Sequence, residues 1–321
     1  MVQVVKEATS EYGYFIQTIL SMVTKRMGKE YTVSIYKVMK NNSLELDSLV
    51  LLKEGRSFAP NIYLQPYYEA YKQGTSLPEL ADRLCRIYME YQVPVIEGEF
   101  SYTFEEMKQY IIYRLVSYER NKKLLEKVPH IRYLDLAITY HCLVRDDKDG
   151  IGTIRITNEH MRLWKIGMKD IHDHAAENTM SLFPPVIKDM EEMILGMISE
   201  EGGENPTAPL HEETSASFLF NDNILMKSNM YILTNEKGIN GASCILYPDV
   251  LQKFADRFYS DFYIFPSSIH EVILTPTADW SKGSNYALMV KEINETQVAP
   301  EEILSDHVYF YSRKSGLMIL E

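Results

Sequence analysis

The stretch YTVSIYKVMKNNSLELDSLVLLK, residues 31–53, reads as a β-hairpin and decides the fold class. Two runs rich in β-branched and aromatic residues, Tyr31 to Met39 and Leu46 to Lys53, flank the turn residues Asn41, Asn42 and Ser43. Such side chains suit a pleated surface, and Asn and Ser suit a tight turn. Before the hairpin, Tyr14, Ile16, Ile19, Leu20 and Val23 recur at helical spacing behind Thr9 and Ser10. A capped helix is therefore expected from about Ser10 to Met27, stopped by Gly28. The opening is a helix on a small antiparallel sheet.

Working outward, residues 61–73 hold Tyr63, Tyr67, Tyr68 and Tyr71, and Ser76 with Pro78 and Glu79 starts a helix. Thr103 caps a further helix expected from about Phe104, which either continues or breaks before Lys127. Pro129 marks a seam between two parts, residues 1–130 and 131–321. Past it, strands are expected at Tyr133 to Val144 and Ile151 to Ile156, then helices through Trp164, over Met168 to Ser181 and over Val186 to Ile198. Residues 200–215, EEGGENPTAPLHEETS, lack an apolar period and are expected to form a mobile loop. The remainder alternates: strands at Asn229 to Thr234 and up to Leu246, a helix at Pro248 to Phe258, strands at Asp261 to Phe265 and His270 to Leu274, a helix at Ser284 to Thr296, and a closing hairpin at Asp306 to Tyr311 and Leu317 to Leu320. This mixed order predicts an α+β fold of two subdomains, with mixed helices packed on small, mainly antiparallel sheets, and not a regular βαβ series.

With 321 residues, 45% hydrophobic and 24% charged, the chain is an ordinary globular one, which excludes disorder, collagen and a disulfide scaffold. Cys85, Cys142 and Cys244 lie too far apart for a zinc knuckle and read as reduced thiols. The first 28 residues lack the basic start and apolar run of a secretory signal, and no stretch approaches the roughly 18 apolar residues that span a bilayer. A cytoplasmic location without membrane contact is expected. The acidity is lopsided: residues 1–130 carry 17 Lys and Arg against 16 Asp and Glu, residues 131–321 carry 16 against 29. An acidic surface repels a phosphate backbone, and Arg120, Lys122, Lys123 and Lys127 are interleaved with Glu119 and Glu126 as on a solvated helix face. Nucleic acid is not an expected partner.

Several motifs fall short of chemistry. Placing Gly150 of the acidic turn Asp146, Asp147, Asp149 at the sixth position of a calcium loop puts Arg145 first and Ile156 twelfth, where ligands are required. His172 and His174 stand two apart, so on a helix they point away from each other; no metal is expected. There is no GxSxG, GxxxxGK, HExxH or GxGxxG, and no cofactor is expected. Residues 237–244, KGINGASC, are small enough to admit another backbone or a ligand, which makes Asn240 and Gly241 candidate binding residues. The segment PSSIHEVI adds Ser267, Ser268 and Glu271 to that set. Cys244 with His270, in neighbouring strand candidates, and His307, beside Asp306, are the candidate catalytic residues.

The strings YILTNEKGINGASCILYPDVL, FYIFPSSIHEVIL and QVAPEEILSDHVYFY resemble a family of uncharacterised bacterial proteins, a domain-of-unknown-function family known mainly from anaerobic gut Firmicutes. The resemblance extends through ITNEHMRLW, HAAENTMSLFPPVI and NIYLQPYYEAYKQG. It implies a bacterial, intracellular accessory protein and brings no activity with it. The leading expectation is binding of a protein or peptide partner, through the tyrosine-rich first part or the turn around Gly241, since tyrosine is favoured at binding surfaces. The alternative is an enzyme with a nonstandard Cys, His and Ser site in the second part.

Overall fold

In the computed structural model, which describes residues 10–55, 59, 61–90, 103–147, 150–193, 230–277 and 286–320, helix α1 (Glu11–Met27) starts where Ser10 Oγ accepts the N–H of Gly13. The chain divides into two units, residues 1–40 with 44–100 and residues 41–43 with 101–321. In the first, β1 (Tyr31–Met39), β2 (Glu45–Lys53) and β3 (Asn61–Tyr63) form an antiparallel sheet in that order. With α1, α2 (Gln65–Lys72) and α3 (Leu77–Glu90), it encloses Phe15, Ile19, Val23, Leu49, Leu51, Leu80 and Leu84, all at 0% exposure. The tyrosine group belongs to this packing: the rings of Tyr68 and Tyr71 lie 5.3 and 5.7 Å from that of Phe15, and Tyr12 Oη donates to Asp47 at 2.8 Å.

The second unit holds two antiparallel sheets. After α4 (Phe104–Met107) come β4 (Ile111–Ser117), α5 (Lys122–Leu125), β5 (His130–Tyr133), β6 (Leu136–Asp147) and β7 (Gly150–Arg155). Strand β6 pairs with β4, with β5 and, beyond β5, with β7. Then follow α6 (Asn158–Trp164), α7 (Met168–Leu182), β8 (Pro185–Asp189), β9 (Tyr231–Asn235), α8 (Val250–Phe258), β10 (Phe262–Pro266), β11 (Val272–Pro276), α9 (Tyr286–Thr296), β12 (Tyr309–Ser312) and β13 (Leu317–Leu320). The second sheet runs β13-β12-β10-β11-β9-β8. Its inner residues Leu233, Ile264, Val272 and Leu274 join Ile111, Tyr113, Leu115 and Tyr140 of the first sheet in one core with Ala175 and Phe254. The fold class is α+β. Among the described residues no helix is long and apolar enough to cross a membrane.

The structure departs from the sequence reading in a few places. Of the two courses open to the helix from Phe104, the structure has the break: it ends at Met107, and IIYRLVS forms β4, a strand the sequence reading did not place. That strand is buried on both faces, so it lacks the period of two that marks a half-exposed strand. Because β4 pairs with β6, residues 101–130 lie with the second unit and the division falls after residue 100, not at Pro129. The strand expected over Tyr133 to Val144 is split at Leu134, whose φ of +55° turns the chain between β5 and β6. The strand expected up to Leu246 is a 3-10 turn, Gly241–Leu246, and β8 precedes the helical residues expected from Val186. The loop expected at 200–215 lies outside the described residues.

Candidate functional site

Strand β4 has one ladder partner among the described residues, and its other edge is met by side chains. Thr179 Oγ1 on α7 accepts the Tyr113 N–H at 2.9 Å, Ser243 Oγ accepts the Leu115 N–H at 3.2 Å, and Asn178 Nδ2 donates to Ile111 O at 2.9 Å. Hydroxyls and an amide thus satisfy backbone groups that an open edge would expose. Ser243 can reach in because the run GASC is small and buried. Asn240 precedes it at φ +54°, a left-handed conformation that Asn tolerates. At Gly241 a Cβ would stand 2.2 Å from Thr234 Oγ1, 2.5 Å from His270 O and 2.8 Å from Asn235 N, so only glycine fits this close approach.

Beside this turn lies a cleft of about 270 Å³, open solvent at its mouth included, lined among others by Ile112, Arg114, Thr179, Phe183, Asn235 and Asn240. Most of its polar groups are committed within the fold. Tyr247 Oη, also in the lining, donates to the carbonyls of Thr179 and Phe183, Thr179 Oγ1 donates to Ala175 O, and Asn235 bonds Ile239 and Lys237. Arg114 is different. Its one side-chain bond among the described residues joins Nη2 to Thr153 Oγ1 at 3.0 Å, while Nε is sealed from solvent with no acceptor. Arg114, Thr139, His141, Thr153 and Arg155 share one face of the sheet, because antiparallel partners and every second residue point the same way. Burial, then the Arg155 charge, lowers the Arg114 guanidinium to about 10, so it remains a cation at neutral pH. Sequence reasoning missed this arginine because it sits in a strand that the sequence reading did not place; a lone Arg inside the apolar run IIYRLVS was the available signal.

His141, buried on that face, is held well below its ordinary value by burial and then by the charges of Arg114 and Arg155. It is neutral in the folded chain, whereas the unfolded chain takes up its proton near pH 6.5. The stability it contributes is complete above pH 6.5 and is lost as the pH falls below that value, by up to about 1.4 kcal/mol per pH unit. Urea melts between pH 7 and 5 are expected to show a shallower pH slope for His141→Gln than for the wild type; identical slopes would mean that His141 titrates normally.

The candidate residues of the sequence reading fall into two places. Asn240, Gly241, Ser268, His270 and Glu271 are brought together: the Asn240 N–H donates to His270 Nδ1 at 3.1 Å, the His270 N–H to Ser268 Oγ at 3.0 Å, and the Ser268 N–H to Glu271 O at 3.2 Å. Ser267 Oγ reaches Glu271 Oε1 at 3.5 Å, and His270 Nε2 lies 3.5 Å from Glu302. Both His270 nitrogens therefore face groups other than Cys244. The Cys244 thiol donates to Thr234 O at 3.3 Å, and burial pushes it up to about 12, far from a thiolate. His307 lies elsewhere: its Nδ1 is 3.1 Å from Asp135 Oδ2, the same oxygen that accepts from Ser305 Oγ at 2.6 Å, while Tyr309 Oη donates to Oδ1 at 2.7 Å. Ser305 is thus bonded to the carboxylate and not to the imidazole. His172 Nδ1 meets Tyr140 Oη at 3.0 Å while His174 packs on Phe104, and among the described residues no group of three or more His, Cys, Asp and Glu could hold a metal ion.

No curated protein and no solved structure matches the chain. The model of the Family of unknown function (DUF5688) matches residues 12–313, and the chain belongs to that family.

Proposed function

We propose that the protein is a cytoplasmic accessory protein that acts by binding a protein or peptide partner, with the cleft beside Asn240 as the receiving site. The observation that carries this reading is the contrast inside the cleft. The side chains of Thr179, Asn235 and Tyr247 bond the backbone, whereas among the described residues Arg114 offers donors with no internal acceptor and the Asn240 carboxamide makes no bond. Unbonded donors beside an apolar wall of Ile112, Ile151 and Phe183 are what an incoming side chain requires. Binding is favoured over catalysis because Cys244 is a buried, raised thiol and both nitrogens of His270 have neighbours. The three free cysteines suit a reducing compartment.

The test is a peptide library panned on the full chain and counter-screened with Asn240→Gly, a change that keeps the left-handed backbone and removes the carboxamide. Selected peptides are expected to share a consensus and to bind the variant about tenfold more weakly, as one lost hydrogen bond implies. A library without a consensus, or equal affinity for the variant, refutes the reading.

A further inference from the structure

We infer that the cleft takes an oxyanion, a carboxylate or a phosphoryl group, gripped by the guanidinium of Arg114; this rests on the cleft being the binding site. Three observations converge on it. Arg114 is largely buried with Nε shut off from solvent and unbonded, and its single side-chain bond among the described residues goes to the neutral hydroxyl of Thr153. Among the described residues no carboxylate bonds to Arg114 or to His141, so these residues enclose a cation without supplying its counter-charge. Such a charge is costly to leave unmatched, and a ligand that matches it recovers that cost. Register places Thr139, His141, Thr153 and Arg155 on the same face as Arg114, and the charge of Arg155 adds to the positive field at its guanidinium.

The chemistry of the donor selects the ligand. A guanidinium presents N–H groups in a planar fork that matches two oxygens of one carboxylate or phosphate, a geometry that an ammonium cannot reproduce. Arg114 remains charged at neutral pH even with its value lowered to about 10, and His141 remains uncharged. The cleft opens to solvent, so the oxyanion enters as the terminal group of a larger ligand.

The experiment is thermal melting of the full chain at pH 7.5 in sodium phosphate and in sodium acetate, each at about 20 mM, against potassium chloride of equal ionic strength. At least one oxyanion is expected to raise Tm by about 3 °C over chloride. Arg114→Met is expected to abolish that rise. Should that variant fail to fold, Arg114→Lys keeps the charge without the fork and is expected to retain less than half of the rise. A response to phosphate alone assigns a phosphoryl group, and a response to acetate alone assigns a carboxylate. Equal melting in all three salts overturns the inference, as does an undiminished rise in either variant. Failure here is separable from failure of the partner reading. Selected peptides free of acidic groups that lose affinity with Asn240→Gly but not with Arg114→Met leave cleft binding standing and overturn the oxyanion. An Arg114-dependent rise with no peptide selected supports the oxyanion and refutes the peptide.

Discussion

Gly241→Ala is expected to destabilise the second unit by about 3 kcal/mol or more, the upper end of what overpacking a core costs. The added methyl would meet Thr234 Oγ1 at 2.2 Å, His270 O at 2.5 Å and Asn235 N at 2.8 Å. The threonine hydroxyl can rotate aside, but the other two atoms are backbone, one in β9 and one in the 268–271 turn. Relief therefore requires moving a strand or the turn itself. Moving the turn also withdraws Ser243 from Leu115 and Cys244 from Thr234, so the edge of β4 loses a partner at the same time. The control is Gly238→Ala, where the Cβ has nothing within 4 Å and only φ of +66° opposes it. That change is expected to cost about 1 kcal/mol. Urea denaturation of both variants checks the contrast: comparable midpoints would mean that the backbone around Gly241 yields.

The same neighbourhood shows why the candidate site was half legible. Asn240 and Gly241 stood out because an Asn-Gly pair followed by Ala, Ser and Cys announces a special backbone and close packing. Arg114 did not stand out. Its meaning depends on Ser243, 128 positions beyond Leu115, holding the edge of β4, and on Thr153 and Arg155 arriving through β6 and β7. The hairpin of residues 31–53 was legible for the opposite reason. Its pairing is local, with Tyr31 opposite Lys53 and Met39 opposite Glu45, and its turn residues lie between the runs. Helix α1 carried its own cap in Ser10. Strand β4 carries neither local partner nor alternation, so nothing after the helix signal of Thr103, Glu105 and Glu106 marked where a strand begins. The 3-10 turn at Gly241–Leu246 was read as a strand because ASCIL is apolar over a strand-like length, and only tertiary contact decides between the two.

Asp135→Ala is expected to cost about 3 kcal/mol, because one carboxylate serves three donors that the substitution leaves behind. Asp135 sits in the turn between β5 and β6, and Ser305, His307 and Tyr309 all approach it from one segment. The charge matters through two of them. Tyr309 is at 0% exposure and Ser305 at 2%, so their hydroxyls have no water to fall back on, whereas His307 is half exposed and rehydrates. Burial, then the Asp135 charge, raises the Tyr309 hydroxyl well above its ordinary value, so it donates throughout the accessible pH range. A double-mutant cycle separates the bond from the burial. Tyr309→Phe removes the hydroxyl that Asp135→Ala would orphan, so the cost of Asp135→Ala is expected to fall by about 1 kcal/mol when Tyr309→Phe is already in place. An unchanged cost would mean that the carboxylate acts through Ser305 alone. A larger cost would mean that Tyr309 positions the turn through its ring, with the hydroxyl bond following from that packing.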